Sequence, residues 1–408
     1  MKSISPTPTL PHREGVADKM SRHPGFHMDN IIPSLWGRVG VGLLSLILCG
    51  CITEYEAKVD EVADILVVEG IITDDETVIT LSRSTNLNDE DGRHWTSTNY
   101  VTNAVVHVEC EDGTQFRADL FCDYDSYGRM HCQYNIKTGT LNLERKYHLK
   151  IEIEGYEYSS DYSYPIKTPE IDSIFWRKRN HGQPVMIYVS TQDPNVLYYR
   201  WSFKEDWEYH SNVYLDGYPY QCWDTSSSYG MVIGSAEQTV IGKMTDVLVE
   251  IDPSSRKLSQ LYRINIKQNA ISKRSYDYFA NIKKNSEQSG SIFAPIPSEL
   301  RGNIICTTDP DRPVIGYVDV SLTTRNLRYI PYRERAYEPP RWTPDCEIYT
   351  KEEICDVFGK FCKGPVELGE WVIYDSRAEP PTYVQIQCVD CTFGEGATQK
   401  PDDWPNNY

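Results

Sequence analysis

The sequence predicts a mainly β protein with two β-sandwich-like domains in tandem, the second containing one amphipathic helix and a disulfide-stapled C-terminal region. The 408 residues include 29 Tyr, 9 Trp, 25 Gly and 24 Pro, a composition typical of strands joined by turns. Short alternating or apolar segments recur at roughly 10–15-residue spacing. Twelve cysteines behind an export-like start favour disulfides.

A short apolar segment near the start predicts export. Val39–Leu48 contains about ten mostly apolar residues, too few for a hydrocarbon core that needs roughly 20. It has the length of a signal-peptide core, and Arg38 supplies the preceding positive charge. The alternative is a buried strand. Residues 1–50 are therefore predicted to be an N-terminal extension and signal peptide, and a translation start at Met20 or Met28 would give a signal peptide of ordinary length.

The residues after this segment predict a lipid anchor. Leu48-Cys49-Gly50-Cys51 resembles the lipobox of bacterial lipoproteins, in which the final cysteine receives diacylglycerol. Cys51 is thus the predicted lipidation site, and residues 51–64 are the predicted lipid-anchored tether. Two or three acyl chains would anchor the protein to a membrane without spanning it.

Charge narrows the possible partners. The net charge is −18, and the first fifty residues hold five Lys or Arg against three Asp or Glu, so the remainder carries −20. A body this acidic repels nucleic-acid phosphate and does not suit an anionic leaflet. We therefore expect no nucleic-acid partner.

The first domain is predicted over residues 65–168, as an immunoglobulin-like or transthyretin-like sandwich. Its segments alternate or are continuously apolar, and Asp112-Gly113 is a hairpin signal. The predicted strands are Ile65–Ile72, Thr77–Ser82, Ala104–Glu109 and Tyr147–Ile153. The acidic segment Asn86–Asn99 lacks EF-hand spacing and is predicted to be a solvated loop.

The second domain is predicted over residues 169–408. A helix is expected near 272–285, because Ser272 suits its N-cap and Tyr276, Phe279 and Ile282 recur on one face. The segment after Ile330 lacks periodicity and is predicted to be a Cys-rich tail of stapled loops. The predicted strands are Ile171–Trp176, Met186–Val189, Tyr198–Phe203 and Val314–Val320.

Ten cysteines remain after Cys49 and Cys51, and an even number in an exported chain predicts disulfides. The candidates are Cys110, Cys122, Cys132, Cys222, Cys306, Cys346, Cys355, Cys362, Cys388 and Cys391. A bridge between Cys122 and Cys132 would close a hairpin, and Cys222 could pair with Cys306. Cys388-x-x-Cys391 also fits half of a zinc site, but no histidine is near it. Spacing leaves the connectivity open.

The sequence contains no recognisable catalytic motif. No P-loop, GxGxxG, HExxH or GxSxG is present, and no histidine pair has metal-ligand spacing. We therefore name no catalytic residue, metal ligand or cofactor and expect a protein that is not an enzyme. Distant positions can still form a triad, so a hydrolase stays open.

Aromatic residues between Trp201 and Trp223 form the candidate recognition surface. Their rings could stack on sugars, anchor a protein partner, or simply pack. The candidates are Trp207, Tyr209, Tyr214, Tyr218 and Tyr220.

The order of several segments resembles the Bacteroidota lipoprotein family called domain of unknown function 4249. These segments follow the lipobox and extend over most of the chain. They are Val67-Val68-Glu69-Gly70, Asn103–Val108 with Asp112-Gly113, Pro169–Ile174, Tyr276-Asp277-Tyr278-Phe279, Ser289–Pro295, Gly302-Asn303-Ile304, Val314-Ile315-Gly316-Tyr317 and Cys388-Val389-Asp390-Cys391.

The resemblance implies an outer-membrane lipoprotein, often encoded beside TonB-dependent receptors. It offers no catalytic residues. We therefore expect an outer-membrane-anchored, non-enzymatic binding or accessory subunit that acts with a TonB-dependent receptor in nutrient uptake and takes a glycan or peptide ligand. A surface glycan- or peptide-degrading hydrolase and a surface adhesin are the alternatives. The membrane face to which the protein points stays open.

Overall fold

The computed structural model describes residues 65–74, 76–84, 99–124, 128–178, 180, 182–228, 232–288, 302–334, 346–358, 370–394 and 396–406. All of them belong to one compact unit of residues 60–408. Cys51, the tether and Cys362 lie outside the described residues. No helix in the described part of the chain is long and apolar enough to cross a membrane.

The mainly β prediction is confirmed. The strands are β1 (Leu66–Thr73), β2 (Glu76–Arg83), β3 (Asn99–Tyr100), β4 (Val105–Cys110), β5 (Gln115–Tyr124), β6 (Met130–Lys137), β7 (Tyr147–Ile153), β8 (Tyr156–Ser160), β9 (Ser173–Lys178), β10 (Val185–Gln192), β11 (Tyr198–His210), β12 (Gln221–Ser227), β13 (Val232–Ser235), β14 (Lys243–Ile251), β15 (Leu261–Ala270), β16 (Ile304–Cys306), β17 (Val314–Gly316), β18 (Val320–Ser321), β19 (Thr323–Pro331), β20 (Tyr349–Thr350), β21 (Trp371–Asp375) and β22 (Thr382–Gln385). The helices are α1 (Lys273–Gln288), α2 (Lys351–Phe358) and α3 (Ile386–Val389).

The first sheet has the strand order β16-β8-β7-β4-β5-β6-β2-β1-β17, with β3 on β2 and β18 on β1. Alternate side chains of β2 and β7 enter its hydrophobic core, as their sequence pattern predicts. The strands β16 and β17 form the two ends of this order, although they are close in sequence. The returning segment therefore brings the two ends of the sheet together.

The sequence analysis assigned all residues after 168 to the second domain, but the segment from Ile304 to Ser321 belongs to the first sheet. Ile304, Cys306, Val318 and Val320 pack in the first core, not the second. Parallel pairing of β17 and β18 with β1 is a long-range feature that local periodicity does not encode. A Cβ on Gly302 would lie 1.6 Å from the carbonyl oxygen of Gly316, so glycine permits this close approach.

We call the first sheet and its core the first module. The second module packs a three-stranded sheet, β14-β10-β9, with a sheet ordered β12-β11-β15-β19 that also carries β13 on β11. A second hydrophobic core lies between them, centred on Trp201, Tyr262 and Ile187. The sheet β20-β22-β21 forms a smaller C-terminal unit. Two hydrophobic cores thus lie within one compact unit.

The predicted helix is α1. The Ser275 N–H donates to Ser272 Oγ at 3.2 Å, which makes Ser272 the N-cap. Tyr278 is its most buried aromatic residue, while Tyr276 and Phe279 are half-buried beside it. Two further short helices, α2 and α3, lie in the C-terminal region that the sequence predicted to be loops. They are eight and four residues long, too short to show a clear helical period in the sequence.

Seven described cysteines form disulfides. Cys122 bonds Cys132 across the β5–β6 hairpin, Cys222 bonds Cys391, and Cys346 bonds Cys388. Cys355 is also disulfide-bonded.

The prediction that all ten cysteines pair is wrong for Cys110 and Cys306, which are buried free thiols. Cys222 therefore does not pair with Cys306. In the first sheet, Cys110 on β4 lies opposite Tyr147, and Cys306 on β16 lies opposite Tyr158. The strands β7 and β8 separate these two thiols, which both pack as apolar groups in the first core.

Candidate functional site

The strand β11 divides its residues between the two faces of the second sheet. Trp207 and Tyr209 enter the second core, whereas Asp206, Glu208 and His210 alternate with them on the outer face. Trp207 is 7% exposed and Tyr209 is 1% exposed. Their predicted role as ligand-stacking residues is therefore wrong, because their rings pack inside the protein.

The predicted tyrosines in the β11–β12 loop have different environments. Tyr214 is 66% exposed and Tyr220 is 38% exposed, and their rings meet edge to face at 5.5 Å. The Tyr220 ring also lies 4.9 Å from that of His210. Tyr218 is half-buried against the small core around Val384. The structure thus brings Tyr214 and Tyr220 together at the surface.

A polar cavity of about 440 Å³ lies on the outer face of the sheet. Its lining joins β11 and β12 to the C-terminal segment 396–406, which we call the tail. The lining residues are Glu208, Gln221, Trp223, Lys400, Trp404, Pro405 and Asn406. Gln221 pairs with His210 across the strands, and His210 contacts both Glu208 and Tyr220, so the Tyr214–Tyr220 pair borders the cavity at its rim.

The Glu208 carboxylate organises the cavity. It is 2% exposed. Gln221 Nε2 donates to its Oε1 at 2.7 Å, and His210 Nε2 lies 3.0 Å from the same oxygen. Trp404 Nε1 donates to Oε2 at 2.9 Å. Because these partners come from two strands and the tail, the buried carboxylate fixes the position of each wall.

The buried Arg263 side chain links the sheet to the tail beside the cavity. Arg263 on β15 donates to Asp206 Oδ2 through Nε at 3.0 Å and NH2 at 2.8 Å. Its NH1 lies 2.6 Å from Asp403 Oδ1, and its guanidinium lies over the Trp404 ring. Burial acts to lower the pKa of Arg263, but hydrogen bonding to Asp403 and Asp206 outweighs this effect and raises the pKa.

Backbone contacts and a disulfide complete the attachment of the tail. The backbones of Trp223 and Ala397 exchange two hydrogen bonds of 2.8 Å. Gly396 packs so closely that an added Cβ would lie 1.8 Å from the Tyr209 hydroxyl. Tyr209 in turn donates to the Cys391 carbonyl at 2.8 Å, beside the Cys222–Cys391 bond.

Sequence reasoning identified the rim of this cavity but not its walls. The alternation Trp207-Glu208-Tyr209-His210 already separates an aromatic face from a polar face, and that signal favours Glu208. Lys400 and Trp404 reach the cavity only because of the tail attachment. Among the described residues, no group of three His, Cys, Asp or Glu could hold a metal ion.

Residues 52–326 match the family described as "Domain of unknown function (DUF4249)". No curated protein matches the chain. The match includes Glu208, Gln221 and Trp223 and ends before the tail. Because it covers more than half of the sequence, the chain belongs to the DUF4249 family.

Proposed function

We propose that this protein is an outer-membrane-anchored lipoprotein that binds a neutral, hydroxyl-rich ligand of the saccharide class without catalysing a reaction. The observation that carries the proposal is the cavity organised by Glu208. Its volume lies within the range of small-molecule sites, about 300–1,000 Å³. Lipidation at Cys51 would hold this site at a membrane.

The charges around the cavity favour a neutral ligand. Glu208 and Lys400 offset each other in the lining, and the other polar lining residues are the amides Gln221 and Asn406. Carboxylates and amides can accept from and donate to hydroxyl groups. The ring faces of Tyr214 and Tyr220 at the rim offer apolar contact for a sugar ring.

The carboxylate geometry favours binding over glycoside hydrolysis. Most glycosidases use two carboxylates that flank the scissile bond. Glu208 is the only carboxylate among the described residues that line the cavity. The next carboxylate on this face of β11, Asp206, is occupied by Arg263.

Isothermal titration of the full-length protein in non-ionic detergent with a panel of neutral oligosaccharides tests this proposal. We expect saturable binding of at least one oligosaccharide. The affinity should fall about fivefold in Gln221→Ala and in Tyr214→Ala, since a lost hydrogen bond or ring contact costs about 1 kcal/mol. Tyr124→Ala is the matched control, because Tyr124 is 71% exposed on the first module. Equal affinities in all variants would rule out the cavity as the oligosaccharide-binding site.

The proposed partner is a TonB-dependent receptor, in keeping with the family resemblance. A gentle detergent pull-down of the tagged protein, followed by mass spectrometry, tests this step separately. We expect a receptor in near-equal amount. Recovery of the lipoprotein alone would contradict the accessory role while leaving the ligand-binding result unaffected.

A further inference from the structure

A second cleft, of about 190 Å³, lies where the first module meets the outer face of the second sheet. One wall comes from β1 and β2, and the other from β11, β15 and β19. The lining residues are Gly70, Ile71, Thr73, Glu76, Val78, Arg200, Ser202, Lys267, Asn269, Thr323 and Arg325. Arg200 and Glu208 are eight residues apart on β11, so the two sites are separated by roughly 26 Å along the strand.

Strand register explains why the polar side chains converge. Ser202, Lys267 and Arg325 are direct neighbours across β11, β15 and β19. Arg200, Asn269 and Thr323 form the next row on the same face, two residues along each strand. Side chains in such rows are about 5 Å apart between strands. The register therefore places three cations within one small cleft of a protein with a net charge of −18.

Two buried polar atoms of the cleft residues lack a hydrogen-bond partner. They are Arg200 NH1 and Thr73 Oγ1, both closed off from solvent, and Thr73 is 7% exposed. The Lys267 ammonium has no hydrogen bond or ion pair with any described residue. Burial lowers the pKa of Arg200, which indicates that its charge is poorly compensated. Buried polar groups without partners are uncommon and costly, which points to a missing acceptor.

The neighbouring carboxylates do not supply the missing hydrogen-bond acceptor. Glu76 is the only carboxylate in the lining of the described cleft. Glu69 and Asp319 attract Arg200 electrostatically but do not accept a hydrogen bond from its NH1. Asp74 attracts Arg325 and accepts from the Thr323 backbone N–H at 2.8 Å. Among the described residues, the lining thus has three cations and one carboxylate.

We propose that this cleft binds a phosphoryl group, either as inorganic phosphate or as a small phosphomonoester. Guanidinium and ammonium groups bind phosphate oxygens strongly, and the hydroxyls of Thr73, Ser202 and Thr323 supply further donors. The cleft is large enough for one such group and a small substituent. This site is separate from the saccharide cavity, and its test does not depend on the proposed function.

The test is calorimetric titration of the full-length protein in non-ionic detergent with inorganic phosphate and, in a second arm, glycerol 1-phosphate, at constant ionic strength. We expect saturable binding in at least one arm, and the tighter arm identifies the form of the ligand. In Lys267→Gln and in Arg325→Gln the affinity should fall at least tenfold. Lys204→Gln, which removes an exposed cation from the same face outside the lining, should stay within twofold of the wild type.

Thermal unfolding supplies a second readout, because a ligand that binds the folded state raises its stability. Phosphate should raise the Tm of the wild type more than chloride at equal ionic strength, and Lys267→Gln should abolish that difference while keeping its own Tm near that of the wild type. Absence of binding in both arms, equal affinities in the three variants, or equal stabilisation by chloride would overturn the proposal.

Discussion

Arg263 is the residue whose loss should damage the second module most directly. Arg263→Met keeps most of the aliphatic stem but leaves Asp206, which is 2% exposed, without its two short hydrogen bonds. Removing one partner of a buried ion pair costs about 3–5 kcal/mol. The compact unit of residues 60–408 should therefore lose roughly 4–7 °C in Tm, if its unfolding entropy is about 2.1 cal/mol/K per residue.

Urea and thermal unfolding of the full-length protein measure this effect. Arg328→Met on the adjacent strand β19 is the matched control, because the Arg328–Glu334 pair is much more exposed than the Arg263–Asp206 pair and should contribute about 1 kcal/mol or less. The double variant Arg263→Met/Asp206→Leu should recover most of the loss, since two apolar groups need no partner. A single-variant loss no larger than that of Arg328→Met would refute the reasoning.

Three further perturbations follow from other contacts. Burial raises the pKa of Asp319 in the folded state. The protonated Asp319 carboxyl therefore contributes to stability below about pH 4, and this contribution is lost as the pH rises through the folded-state pKa. Asp319→Asn should flatten the fall of the urea midpoint as the pH rises above about 4, and an unchanged pH profile would contradict this. Replacing Cys222 and Cys391 by Ala should cost about 2–5 kcal/mol and loosen the tail, measured by urea unfolding and by protease cleavage; unchanged cleavage would contradict the attachment. Gly302→Ala should cost about 3 kcal/mol in thermal unfolding because its Cβ would meet the Gly316 carbonyl, and a change below about 1 kcal/mol would show that the segment can relax.

Local sequence signals predicted those parts of the fold that depend on neighbouring residues. The strand Tyr147–Ile153 has the same bounds in the structure, because its alternation matches one buried face. Ser272 marked the start of α1 because capping is a local interaction. Local periodicity could not predict the return of Ile304–Ser321 to the first sheet, since that pairing joins residues 144 to 248 positions apart.

The candidate site was predictable only in part, for the same reason. Tyr214 and Tyr220 flank Asp216-Gly217 and Pro219, residue types that are typical of a surface turn, and both lie at the rim. Trp207 is also aromatic, but the alternation of side chains along β11 places it in the core. The role of Trp404 depends on the Cys222–Cys391 bond across 169 residues, and cysteine spacing does not reveal such pairing.

Fluorine NMR of the protein labelled with 5-fluorotryptophan would test the proposed binding site most directly. The chain has nine tryptophans, and Trp223→Phe and Trp404→Phe would assign the two resonances of the cavity walls. Titration with the tightest-binding neutral oligosaccharide should shift these two signals together and saturably, while Trp176 outside the cavity stays unchanged. Binding that leaves both signals unmoved would contradict a saccharide site at Glu208.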